Sequence, residues 1–316
     1  MGRPLRIDFP DAVHHIICKG NRDQPIFYDD KDRNYFLKKL KEYKFLYNFK
    51  CICYCLMKNH FHLLIKTSTV PIWKIMHSLA SVYAHYFNRK YNITGHLFQR
   101  RYKNIIVDTE QYLLTLSRYI HLNPVKAHIV DAPELYKWSS CKAYFEKGKN
   151  DIVDKEIILK KLSNNNDEAI KIYKDFLAHT IDWEPKITRV NNYLFLAEKT
   201  FIDKVLQNAK MDRRKYKRDI YIVTPDEIIN FVCKKFNLEK EKFLKKGKHK
   251  IYSKARKICI YLMRKMCHLT NTEIGKILGI TKSNVSMSYS KVVELVNENE
   301  KENWIVEASK WLKSKN

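Results

Sequence analysis

Residues 56–66 read LMKNHFHLLIK and place His60 and His62 either side of one phenylalanine in an apolar run. The preceding KCICYCL (50–56) is equally apolar, and MKN separates the two runs, which is the pattern of a β-hairpin. Residues two apart on a strand point the same way, so both imidazoles face one side of a sheet, roughly 6–7 Å apart along the backbone. Packing alone would be better served by Val or Leu. The pair reads either as two satisfied, half-buried histidines or as two ligands for one cation, and spacing does not decide between them.

Working outward, AVHHIICKGN (12–21) alternates, is β-branched and stops at Gly20-Asn21, predicting a first strand and turn. DDKDRNYFLKKLKEYKFLYNF (29–49) opens with acidic residues suited to a helix N-terminus and spaces Phe36, Leu40, Tyr43 and Tyr47 helically. VPIWKIMHSLASVYAHYFNRKYN (70–92) predicts a second helix, with Ile75, Leu79, Val82 and Tyr86 apolar. GHLFQRRYKNIIVD (95–108) reads as a basic turn feeding another strand. A third helix is expected from about Thr109, its N-cap by residue type, and meets Pro124, which removes a backbone donor and disfavours the α conformation at Asn123. Strand, helix, hairpin, helix, strand, helix makes an α+β domain on an antiparallel sheet.

The totals bound what such a domain does. The 316 residues exceed one ordinary domain, and 45% are hydrophobic, enough for real cores. Sixty Lys and Arg against 34 Asp and Glu leave a formal charge of +26, a potential that attracts polyanions. Compositional bias toward Lys, Asn and Ile is the bland alternative, but the basic residues cluster, so nucleic acid is the leading partner. No run approaches the roughly 18 apolar residues of a membrane helix, and Met1 to Pro10 lacks the apolar core of a signal peptide. A cytoplasmic protein is expected. Its eight cysteines show no C-x-x-C spacing and are expected to be free thiols; Cys51, Cys53 and Cys55 would share one strand face.

After about Lys147 the texture changes, with polar EKGKND (146–151) and helical stretches near 157–162 and 167–177 broken by SNNN. The expected organisation is a first domain over 1–146, a helical and basic linker over 147–223 that includes NAKMDRRKYKRD (208–219), and an all-helical block over 224–316.

Within the third helix, Tyr119 and Asn123 are four apart and lie on one face if helical geometry holds to Asn123. A phenol, an amide and two imidazoles form a chemical set. Phosphodiester cleavage by a phenolate needs a nucleophile and a hard cation, for which Mg²⁺ or Mn²⁺ is suited. Against this, the chain has 20 tyrosines, and any one of them is ordinarily a packing or surface residue.

Four stretches in order, GNRDQPIFYDD (20–30), MKNHFHLLIK (57–66), GHLFQRRYKN (95–104) and RYIHLNPVKA (118–127), resemble the REP-associated tyrosine transposases, a branch of the HUH single-strand nucleases. The resemblance covers about residues 1–146. It implies a ferredoxin-like α+β domain in which His60 and His62 form the metal motif, Tyr119 is the nucleophile, and Asn123, one turn on, completes the metal site. It implies attack by Tyr119 on single-stranded or hairpin DNA, a 5′-phosphotyrosine bond, a released 3′-hydroxyl and later rejoining, with a divalent metal as cofactor. Two positions depart from the family pattern: Lys58 stands where Pro is usual and Arg100 where Gly is usual. Arg100, Arg101 and Lys103 would add a phosphate contact or form a solvated basic turn.

In the last block, KARKICIYLMRKMCHLTNTEIGKILGITKSNVSMSYSKVVELV (254–296) has the form of a helix-turn-helix. A long amphipathic helix with Ile258, Leu262 and Met266 precedes a short helix stopped at Gly279, and TKSNVSMSYSKV would be the recognition helix. Lys282, Ser283, Asn284, Ser286 and Tyr289 would reach base edges or phosphates of duplex DNA. A helical partner-binding module is the alternative, opposed by the basic run from Lys245 to Lys257. ARKICIYLMRKM and LTNTEIGKILG resemble the C-terminal DNA-binding domain of the initiator DnaA, but that family's Asp-His-Thr-Thr reader is absent and KSNV stands nearby. Two functions follow as expectations: a metal-dependent single-strand DNA endonuclease and strand-transferase, or a non-catalytic DNA-binding regulator on the same fold.

Overall fold

The structure is a computed structural model that describes residues 7, 9–109, 111–148, 150–178, 184–190, 193–211, 223–244, 250–267, 269–296 and 298–313. It divides into two compact units, 1–218 and 219–316.

The first unit opens with β1 (Val13–Lys19), α1 (Asp30–Tyr47), the hairpin β2 (Lys50–Leu56) and β3 (His60–Lys66), α2 (Ile72–Tyr91), β4 (Lys103–Val107) and α3 (Leu113–Lys126). The strands pair antiparallel in the order β2-β3-β1-β4, the ferredoxin-like arrangement that the family resemblance implies. Asp29 caps α1 by accepting from Asp32 N, and Asp32 answers by accepting from the backbone of Asp29, a reciprocal cap written in DDKD. Alternation along β3 sorts its side chains to two faces. Phe61 meets Phe36 of α1, whereas His62 meets Tyr119 of α3. The α1 and α2 pair therefore covers one face, and α3 lies over the other.

Three expectations are corrected here. Helix α3 begins at Leu113, not Thr109: Tyr112 is the N-cap, and a preceding turn is closed by Tyr112 N donating to Asp108 O. Pro124 does not end the helix, which runs through it to Lys126, because a proline near a helix end removes only one bond of the ladder. A bulge between Cys51 and Cys53 shifts their register by one, so the three cysteines do not keep strict alternation. All eight thiols are free and buried.

The segment expected to be a linker instead builds on the first unit. After α4 (Cys141–Phe145), which lies within the expected first domain, it supplies α5 (Glu156–Leu162), α6 (Asn166–Ala178), β5 (Thr188–Val190), β6 (Tyr193–Leu196) and α7 (Lys199–Met211). The strand β6 pairs parallel with β4, which turns the expected antiparallel sheet into a mixed six-stranded one among the described residues. Ile202 and Val205 of α7 bury against Ile7, Ile106 and Phe195 to cover this extension. No periodic strand longer than four residues marks β5 or β6 in the sequence, so the extension was not readable there. Residues 212–219 of the basic run lie outside the described residues.

The second unit is helical: α8 (Pro225–Lys235), α9 (Lys240–Leu244), α10 (Lys250–Met266), α11 (Asn271–Leu278), α12 (Lys282–Leu295) and α13 (Glu298–Lys313). Thr270 and Glu273 form a capping box on α11, and Gly279 ends it with φ +64, the left-handed conformation that glycine adopts without strain. A Cβ on Gly275 would stand 2.6 Å from the carbonyl oxygen of Ile280, so the turn into α12 requires glycine there. No helix among the described residues is long and apolar enough to cross a membrane.

Candidate active site and nucleic-acid interface

Register builds the site across the sheet. His62 on β3 pairs with Ile17 on β1, and Ile17 pairs with Lys103 on β4, so the three lie in one row on the α3 face. One row along, His60 pairs with Lys19. The sheet therefore sets two imidazoles beside two lysines at one end. That end is tied together by Gly20 N donating to Asn59 O and Gln99 N donating to Lys19 O, which joins the turn carrying Arg100 and Arg101 to the histidine strand. Gly20 permits this: a Cβ there would meet the Gln24 carbonyl at 2.1 Å. Arg100, Arg101 and Lys103 are exposed.

The rings of His60 and His62 are 5.1 Å apart, and Tyr119 stands edge-on to His62 at 6.1 Å. His60 is half-buried and its Nδ1 bonds Asn59 Oδ1 at 2.8 Å; His62 is buried and its Nδ1 bonds His15 Nε2 at 2.9 Å. Both histidines thus keep Nε2 as the nitrogen left for another partner. Burial, reinforced by Lys19, holds His60 down to about 4; burial, with His15, His60, Lys19 and Lys103 adding to it, holds His62 well below its ordinary value. Both imidazoles are neutral near pH 7, the form that ligates a metal.

Tyr119 is half-buried, and burial together with the Glu184 carboxylate raises its phenol above the ordinary value. The ammonium of Lys126 lies 5.5 Å from its ring centre. Helical geometry does hold to Asn123, whose Nδ2 donates to the Tyr119 carbonyl at 2.8 Å. That bond occupies the amide nitrogen and leaves Oδ1 as the acceptor that could meet a cation. Among the described residues, no group of three or more His, Cys, Asp or Glu side chains forms a metal cage.

His15 and Lys19 were missed in the sequence. The signal was present in VHHIICK: His15 shares its strand face with Ile17 and Lys19, next to the strand of His60 and His62.

A buried polar network seats α3. The Tyr173 hydroxyl of α6 bonds Ser117 Oγ at 3.0 Å and His121 Nδ1 at 2.9 Å, and His121 Nε2 bonds Ser140 Oγ at 2.7 Å. Ser140 Oγ accepts from Tyr54 N of β2. These groups are buried, so each depends on the others for its hydrogen bonds.

In the second unit, Lys282, Ser283, Asn284 and Ser286 are exposed on the first turns of α12, while Val285 and Val292 are buried. Tyr289 departs from the expectation that it reaches outward. Its ring stacks on Tyr261 at 5.9 Å and lies 4.7 Å from the Arg264 guanidinium, which makes it part of the packing between α10 and α12.

The first unit is thus an α+β domain with a ferredoxin-like sheet whose histidine-bearing face lies under a tyrosine-bearing helix. Residues 10–123 match the family described as transposase IS200 like, and residues 225–292 match the bacterial DnaA protein helix-turn-helix. The chain therefore carries, in order, a segment similar to IS200-like transposases and a segment similar to the bacterial DnaA helix-turn-helix. A solved structure of a REP-associated tyrosine transposase bound to a REP hairpin aligns with 49% of this chain and 94% of its own, at 14% identity and a TM-score of 0.39.

Proposed function

We propose that the chain is a metal-dependent single-strand DNA endonuclease and strand-transferase of the cytoplasm, acting on hairpin repeat DNA. The observation that carries this reading is the meeting of His60, His62 and Tyr119 at one end of one sheet face. A non-catalytic clamp would have no use for two neutral imidazoles aimed beneath a tyrosine.

The donor set fits Mg²⁺ or Mn²⁺: His60 Nε2, His62 Nε2 and the Asn123 amide oxygen would hold it, with phosphate oxygens of the substrate as further ligands. When bound, such a cation polarises the phosphate and favours the phenolate. In this reading, Tyr119 Oη attacks the phosphorus of a phosphodiester and its proton leaves to solvent or a neighbouring base. The bond from phosphorus to the 3′-oxygen breaks, that oxygen takes up a proton, and the 5′-phosphate remains esterified to Tyr119. Attack by a 3′-hydroxyl on the same phosphorus reverses the step and rejoins the strand. Lys19, Lys103, Arg100 and Arg101 supply cations along the approach of the backbone. Lys282, Ser283, Asn284 and Ser286 contact duplex DNA and help choose or hold the target.

A labelled single-stranded hairpin oligonucleotide incubated with the chain and Mn²⁺ tests this on a denaturing gel. A slowly migrating adduct that disappears when EDTA is present supports the reading, and its absence at every metal tried rejects it.

A further inference from the structure

We infer that His15 is the positioning residue of the candidate metal site, holding the His62 ring so that Nε2 is presented for ligation. This rests on the metal reading above.

The geometry is specific. His15 Nε2 lies 2.9 Å from His62 Nδ1, the rings stack at 5.2 Å with 21° between planes, and both residues are buried. His15 also stands edge-on to Tyr119 at 6.3 Å, so it touches both parts of the site. Its Nε2 is committed to His62, which makes it a support rather than a ligand. Ligation at His62 Nε2 needs a lone pair there, hence a proton on Nδ1, and His15 Nε2 must accept that proton's hydrogen bond. A ligating histidine whose second nitrogen is held in this way keeps one tautomer and one ring orientation.

Stability does not account for this imidazole. His15 Nδ1 is buried without a hydrogen-bond partner among the described residues, and its cross-strand neighbours are Leu64 and Ile105. An apolar side chain would fill the same place with no orphaned nitrogen.

The test uses the full chain and Mn²⁺ titration followed by electron paramagnetic resonance. His15→Leu should weaken Mn²⁺ binding about 10- to 100-fold, and His15→Gln, whose amide oxygen can accept from His62 Nδ1, should recover most of the loss. Wild-type affinity in His15→Leu, or an equal loss in both variants, would overturn the inference. Should the wild-type chain bind no Mn²⁺, the metal reading itself fails, and long-range nitrogen–proton correlation spectra of the His62 ring decide the positioning role alone. A hydrogen-bonded Nδ1 signal lost in His15→Leu and kept in His15→Gln supports it; a signal unchanged in both overturns it.

Discussion

Tyr119 and His62 stand with their rings 6.1 Å apart and nearly perpendicular, one carried by helix α3 and the other by strand β3. The relationship depends on how α3 is seated on the sheet. What holds α3 therefore matters as much as the two side chains.

The imidazole pair should be needed for chemistry and dispensable for folding. His60→Ala combined with His62→Ala is expected to remove Mn²⁺-dependent cleavage of a single-stranded hairpin while the far-ultraviolet circular dichroism spectrum stays that of the wild type. Unchanged cleavage would show that the pair is structural.

The network beneath α3 should contribute to stability. Tyr173→Phe deletes the hydroxyl that serves both Ser117 and His121, and is expected to cost about 1–3 kcal/mol. Denaturant unfolding of the first unit measures it. No measurable loss would mean that water replaces the hydroxyl freely.

Acid should weaken the first unit. Burial holds His121 and His15 each at about 3, below the ordinary 6.5 that the unfolded chain restores. As pH falls below 6.5 the unfolded state takes up protons that the native state refuses, so this stability is whole above 6.5 and is lost toward about 3. Each group contributes up to about 1.4 kcal/mol per pH unit in that window. Denaturant midpoints measured down through it should fall, and a flat profile would contradict neutral burial.

The helix-turn-helix should act on binding and not on chemistry. Lys282→Ala with Asn284→Ala is expected to weaken duplex binding and lower its salt slope by about one, leaving adduct formation on short single strands unchanged. An equal loss of adduct would contradict that division of labour.

Much of this was legible. Alternation and helical spacing placed the hairpin, α1 and α2, the family resemblance implied the ferredoxin-like order, and Gly279 marked the end of α11. The start of α3 was not, because Thr109 has the chemistry of a cap while a separate turn closed by Tyr112 and Asp108 comes first. Strands of three and four residues in β5 and β6 are too short to show a period, and their pairing with β4 is a tertiary fact. In the site, His60, His62 and Tyr119 could be named from the sequence. His15 could not, since its meaning comes from the register of β1 against β3. Tyr289 shows how packing overrides a helix-face pattern, since Tyr261 and Arg264 pack on its ring.

The most direct measurement of the central claim is covalent capture of a single-stranded hairpin in Mn²⁺ by the wild-type chain and by Tyr119→Phe. The account predicts a wild-type adduct whose attachment maps to the peptide containing Tyr119, and a variant that binds the hairpin as well but forms no adduct. An adduct of equal yield in Tyr119→Phe would contradict it.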